Sequence, residues 1–293
     1  MKRILIIGCG DVGGRLVRRY QKQAHFFALT RSVAGAARLR ALGVVPVLGD
    51  LDEPATIERL PSADGVFHFA PPPAEGSADT RTRHLIRALT RRGHPDSLVY
   101  ISTSGVYGDC GGVWVKESRA TAPVNDRAIR RVDAETQLRT WGARHNVRVS
   151  ILRAPGIYAA DRLPLERIKR GTPALIAADD SYTNHIHADD LARLAWVAMF
   201  RGRPGRIYHA VDAQPMKMGD WFDSCADAFD LQRPPRVTRV QADGILSESL
   251  LSFLRESRQL SNLRATRELR FRYLYPTSDD LLRQLKHAAR CVV

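Results

Sequence analysis

The chain opens Met1-Lys-Arg-Ile-Leu-Ile-Ile-Gly8-Cys-Gly10-Asp-Val-Gly13-Gly14, and the fold is decided in this stretch. Ile4 to Ile7 is an uninterrupted apolar run of strand length. It stops at Gly8-x-Gly10-x-x-Gly13, after which Val12, Leu16, Val17 and Tyr20 fall at helical spacing, predicting a helix over Val12–Gln23. Strand, glycine turn, helix is the setting in which this pattern marks a dinucleotide site. Gly8 permits the tight turn, Gly10 lets a pyrophosphate approach the backbone, and Gly13 lets the helix pack on the strand. The first helical turn, from Asp11 and Val12 onward, offers free N–H groups and a positive dipole end to the phosphates.

At 293 residues the chain has room for one large or two modest domains, and its apolar and charged fractions are those of a globular protein. No apolar run approaches the ~20 residues of a membrane span, and the N-terminus reads as a core strand without a signal-peptide cleavage site. The expectation is a cytosolic, cytoplasmic protein with no membrane partner. Cys9, Cys110, Cys225 and Cys291 are far apart and form no C-x-x-C pair, so disulfide and zinc use are not expected. The formal charge is +14, yet only six of the 45 basic residues are lysine and the arginines run along the whole chain. No recognition helix, zinc finger or aromatic RNA-binding motif accompanies them, so nucleic acid is not expected as a partner. A basic cleft that attracts a phosphate-rich cofactor is the preferred reading.

Working outward, strands are predicted at Arg3–Ile7, His25–Leu29, Val44–Leu48, Gly65–Phe69, Ser97–Ser102 and Val147–Leu152. Helices are predicted at Ala34–Leu42, Pro54–Leu60, Asp79–Arg92 and Asp126–His145. This alternation implies an α/β fold with a doubly wound parallel sheet, its site along the C-terminal ends of the strands. After Pro155-Gly156 the regularity breaks. A helix over Asp189–Phe200 and a strand over Arg206–Val211 return to the sheet, so residues 1–155 with 186–212 form the dinucleotide domain. Residues 156–185 and 213–280 form a smaller substrate lobe, and 281–293 a closing helix (Leu281–Ala289) and tail.

Five further stretches complete the pattern: Gly49-Asp50-Leu51, Ser102-Thr103-Ser104-Gly105-Val106-Tyr107-Gly108, Arg153-Ala154-Pro155-Gly156-Ile157-Tyr158, Asn184-His185-Ile186-His187-Ala188-Asp189-Asp190-Leu191-Ala192, and Glu256-Ser257-Arg258-Gln259-Leu260-Ser261-Asn262 with Tyr275-Pro276. In this order they resemble the extended short-chain dehydrogenase/reductase superfamily, of the NAD(P)-dependent epimerase/dehydratase type, and its atypical members most. The resemblance runs over nearly the full length. It implies a Rossmann domain in which Asp50 receives the adenine amino group and Leu51 contacts the ring. It implies that Phe69-Ala70-Pro71 line the cofactor, that Pro155-Gly156-Ile157 lie near the nicotinamide, and that the protein forms a homodimer through the Asp79–Arg92 and Asp126–His145 helices. The arginine-rich exposed faces of those helices leave a monomer open. Arg31 and Ser32 end the second strand where an acid would hold the ribose hydroxyls of NAD; an arginine there accommodates a 2′-phosphate, so NADP is expected, with NAD as the alternative.

The resemblance also implies a catalytic tyrosine, a lysine four residues later, and a strand-end hydroxyl, which maps onto Thr103 with Ser102 and Ser104 beside it. The tyrosine and lysine are missing. Aligned on Glu135, the lysine position holds Arg131 and the tyrosine position Arg127, one face of a helix. Arg131 keeps the charge that binds the ribose; Arg127 cannot be a general base. Three readings stay open: an enzyme using another acid, with Tyr107, Tyr158 and Tyr182 as candidates; an enzyme gripping a small anionic or nucleotide-linked substrate with Arg127 and Arg131; or a non-catalytic NADP(H)-binding redox sensor or scaffold. An enzyme is favoured because Thr103 and the second lobe are kept. His185-x-His187 with Asp189 and Asp190 lacks a metal signature, and no metal is expected. Cys9 is read as a small residue that fits the loop.

Overall fold

The computed structural model describes residues 1–290; Cys291 and the end of the expected tail lie outside the described residues. Seven parallel strands form the central sheet: β1 Lys2–Ile7, β2 Ala24–Thr30, β3 Val45–Leu48, β4 Gly65–His68, β5 Ser97–Thr103, β6 Arg148–Ala154 and β7 Arg206–His209. Their spatial order is β7-β6-β5-β4-β1-β2-β3, the doubly wound order with its switch point beside β1. The predicted returning strand is β7, and it pairs with β6 from Arg206 opposite Ser150 to His209 opposite Arg153.

Two-residue periodicity divides the apolar runs between the sheet faces. Ile4 and Ile6 of β1 enter one core together with Val99 of β5 and Leu152 of β6. Leu5 and Ile7 enter the other with Leu98, Tyr100 and Ile151. The first face is covered by α1 (Asp11–Tyr20) and α5 (Ala188–Arg201), the second by α3 (Thr80–Arg92) and α4 (Asp126–His145), while α2 (Val33–Ala41) packs on β3. Burial on both faces is why β1 reads as a continuous apolar run.

Two predicted helices change. The helix read over Val12–Gln23 runs from Asp11 to Tyr20, where Gln23 N–H turns back to the Tyr20 carbonyl at 2.8 Å. The helix read over Pro54–Leu60 is only a 3-10 turn, Pro54–Ile57. So short a segment closes too few i→i−4 bonds to hold an α-helix.

Beyond β6 a separate apolar core gathers Tyr158, Ile168, Trp221, Phe222 and Cys225 with Leu281 and Leu282 of the C-terminal helix Ser278–Arg290. Two short parallel strand pairs lie outside the central sheet: Gly156–Tyr158 with His185–His187, and Gln259–Leu260 with Trp114–Val115. Asp190, wholly buried, accepts from the backbone N–H groups of Leu274 and Tyr275 and from Arg193. His187 caps α5 by accepting from Asp189 N–H, and its ring stacks on Tyr275 at 3.8 Å. No helix among the described residues is long and apolar enough to cross a membrane.

Candidate functional site

Two cavities lie along the C-terminal ends of the strands. The first, 390 Å³, is built by the ends of β1 to β4 and is lined by Gly8, Gly10, Arg31, Asp50, Leu51, Phe69, Ala70 and Pro71, with Cys9, Thr30 and Arg81. Gly8 has φ +89°, and a Cβ there would stand 2.5 Å from the Ala70 nitrogen. The turn therefore needs glycine twice over, for its dihedral and for the close passage of β4's exit. A Cβ at Gly10 would meet nothing within 4 Å, so its open side allows a ligand to approach the backbone. Gly13 sits against Cys9, whose thiol burial pushes up to about 11, so it packs as a neutral group. These features fit a pyrophosphate laid on the N–H groups of the first turn of α1.

Arg31 is exposed and its Nη1 lies 3.9 Å from Asp50 Oδ2. Ser32 caps α2, its Oγ accepting from Gly35 N–H at 3.0 Å. Asp50 Oδ1 accepts from Asp52 N–H at 3.0 Å, a turn role that leaves Oδ2 towards the cavity side. Arg81 grips Asp52 through two bonds of 2.6 and 2.8 Å and also donates to the Pro71 and Pro72 carbonyls, bracing the β4 exit. Asp11, Val12, Gly13 and Ser32 line neither cavity; the first three lie in the first turn of α1 and Ser32 caps α2.

The second cavity, 530 Å³, brings together Thr103, Arg127, Arg131, Pro155, Gly156 and Ile157. Thr103 ends β5 and its Oγ1 accepts from Gly105 N–H at 3.2 Å. Asn125 starts α4 by accepting from Ala128 N–H at 2.9 Å, which sets Arg127 and Arg131 one turn apart. Arg127 lies 4.9 Å over the Phe253 ring, turned towards the second lobe. Arg131 Nη1 donates to Tyr100 OH at 2.9 Å and to the Ile101 carbonyl at 2.7 Å. Among the described residues neither guanidinium has a carboxylate within salt-bridge distance. Beneath Thr103, Arg153 makes two bonds to Glu135, at 3.0 and 2.6 Å, and Ser102 donates to the same carboxylate at 2.6 Å, all buried.

Several sequence candidates are corrected by this geometry. Ser102 belongs to the buried Glu135 network and does not line the cavity. Tyr107 is fully buried with its hydroxyl 2.6 Å from His209 Nε2, so it faces the core and not the cleft. Burial raises its hydroxyl to about 12. Tyr158 does line the cavity, but burial pushes its hydroxyl far above the ordinary tyrosine range. Tyr182 is half-buried at the cavity wall with Lys217 Nζ 4.5 Å over its ring. The residue that sequence reasoning missed is Glu256, the one carboxylate lining the second cavity among the described residues. It accepts from Arg258 Nη1 at 2.8 Å and Asn125 Nδ2 at 3.3 Å, and its Oε2 would lie 3.8 Å from a Cβ at Gly105. The only sequence signal was its place in the Glu256–Asn262 stretch.

The profile of the NAD dependent epimerase/dehydratase family matches residues 4–210. The chain belongs to that family. It is 29% identical over 225 residues to an uncharacterized protein of Schizosaccharomyces pombe, covering 71% of this chain and 74% of that one. It is 29% identical over 186 residues to the UDP-glucose 4-epimerase of Azospirillum brasilense, covering 58% of this chain and 53% of the relative. Among solved structures, a functionally unknown conserved protein from Silicibacter pomeroyi superposes with a TM-score of 0.84 at 26% identity over 99% of both chains. The UDP-glucose 4-epimerase of Thermotoga maritima, solved with UDP-glucose, superposes with a TM-score of 0.79 at 16% identity over 99% of both. The family is NAD-dependent; in this chain the glycine turn lines the first cavity, and Arg127 and Arg131 line the second.

Proposed function

We propose that this protein is an NADP(H)-dependent oxidoreductase or epimerase/dehydratase acting on a small anionic, or nucleotide-linked, substrate. The observation that carries the anionic class is the pair Arg127 and Arg131, two guanidiniums at the second cavity without a carboxylate of their own. A phosphate or carboxylate supplies what a guanidinium fork lacks. The nucleotide-sugar relatives make UDP- and GDP-linked sugars the first compounds to screen.

The reading assigns 1–155 with 186–212 to the cofactor, and 156–185 with 213–280 to the substrate. The nicotinamide, when bound, takes or gives a hydride. Thr103 orients the substrate oxygen with its hydroxyl. Glu256, which lines the same cavity, is assigned the exchange of a proton with that oxygen, the task for which Arg127 has no usable lone pair. Arg31, with the start of α2 at Ser32, favours NADP over NAD through the 2′-phosphate. Against this stands a redox sensor that binds NADP(H) without turnover, favoured by the loss of the tyrosine and lysine alone.

Fluorescence titration with NADPH and NADH, on wild type and Arg31→Ala, tests the cofactor. The expectation is micromolar NADPH binding that weakens about tenfold in the variant, while NADH is unaffected. Equal binding of both by wild type rejects the 2′-phosphate argument. Turnover with none of the nucleotide sugars, at saturating NADPH or NADP, favours the sensor.

A further inference from the structure

We propose that Arg162, from the second lobe, is a pyrophosphate-binding residue that closes the cofactor cleft over the start of α1. The inference rests on the dinucleotide reading of the first cavity and adds a side chain to a site otherwise made of backbone. Arg162 ends the 3-10 turn Ala160–Arg162, which follows directly on Gly156–Tyr158. Arg162 lines the second cavity, and its Nη1 donates to Asp11 Oδ2 at 3.1 Å. Asp11 is the first residue of α1 and follows Gly10, which lines the first cavity. Arg162 therefore stands between the adenosine half and the nicotinamide half, where the diphosphate of a dinucleotide must run.

The charges support the same conclusion. Asp11 places a carboxylate at the helix start where a pyrophosphate brings two more negative charges. Alone it would repel them. Arg15 Nε takes Asp11 Oδ1 at 2.8 Å and Arg162 takes Oδ2, so the carboxylate is answered on both oxygens. Arg162 is 38% exposed, with only one of its donors in this bond, which leaves the rest of its fork for phosphate oxygens. Asp11 is then a positioning residue and not a ligand.

The turn does not depend on Arg162 for its place. Arg15 Nη2 donates to Asp161 at 2.9 Å and Arg15 Nη1 to Asp189 at 3.0 Å, tying the turn and the start of α5 to α1 independently. Removing Arg162 should thus subtract a contact to the ligand and leave the loop where it is.

Calorimetric titration separates the parts, using ADP-ribose, which carries the diphosphate, and adenosine, which does not. In Arg162→Ala the ADP-ribose Kd should rise about tenfold or more, because a charge-assisted contact is lost and Asp11 is unmasked. In Arg162→Lys it should rise less, since the charge is kept and the fork is lost. Adenosine binding should stay within twofold in both, and the salt dependence of ADP-ribose binding should flatten in the alanine variant. An unchanged ADP-ribose Kd in Arg162→Ala overturns the proposal, and so does an equal loss of adenosine, which would mean that the cleft itself had collapsed. Wild type that binds neither ADP-ribose nor NADPH removes the dinucleotide reading underneath, a result distinct from either.

Discussion

The two cavities are made differently. The 390 Å³ cavity is built from backbone: a glycine at positive φ, an open glycine, the start of α1 and the close passage of β4's exit. The 530 Å³ cavity is built from side chains carried in from positions 103 to 258, supported by a buried network of Ser102, Glu135 and Arg153. Backbone geometry of this kind tolerates few sequences, because the positive φ and the close passage admit only glycine. A side-chain constellation can be exchanged one residue at a time while its frame stays.

That contrast can be broken by substitution. The largest effect is expected from Glu135→Ala, which strands a buried Arg153 guanidinium; stability should fall by about 3–5 kcal/mol, read as a lowered denaturation midpoint. Retention of wild-type stability would show that the side-chain frame is dispensable. Gly8→Ala attacks the backbone-built half, and the strained φ and the clash at Ala70 should cost about 1–3 kcal/mol and abolish micromolar NADPH binding. Glu256→Gln sharpens the comparison by removing the charge opposite Arg258 in the second cavity while leaving the backbone-built cavity alone. Turnover of whichever substrate the screen yields should drop about 100-fold in kcat, with NADPH affinity close to wild type. A kcat within a few-fold of wild type would return the proton-transfer role to Tyr182 or to water.

One further effect needs no substitution and is one of pH. His68, His185 and His209 are buried and held neutral, burial lowering them to about 3, 4 and 3. The unfolded chain takes up protons near pH 6.5 that the folded chain refuses, so stability is complete above that pH. It should decline as the pH falls towards 4, by about 1.4 kcal/mol per pH unit for each histidine at most. Melting curves between pH 7 and 4.5 would show the slope, and a flat profile would contradict the burial of these rings.

Much of this was legible. The strands β1 to β5 follow the predicted runs to within a residue or two, because an apolar run between glycine turns has one stable use in a sheet covered on both faces. The glycine cradle, Arg31, Asp50 and the β4 exit meet in one cavity because each ends a neighbouring strand. What could not be read depends on pairings without periodicity. Asp190 lies in the first turn of a helix, where an acid suits the dipole whatever else it does, yet it anchors backbone groups 84 and 85 residues away. Glu256 lies 153 positions beyond Thr103 and meets that end of β5 only through the path of the second lobe. Tyr107 stands among the candidate acids by its residue type, and its burial with its bond to His209 shows that it points inward.

The arginine at position 131 has one more consequence. A lysine in a low-dielectric pocket is a nucleophile that carbonyl compounds and acylating agents can trap, and it surrenders its charge in alkali. A guanidinium does neither. The cation lodged on Tyr100 and the Ile101 carbonyl is a planar fork without an amine nucleophile, so position 131 should resist amine-directed reagents such as acetic anhydride.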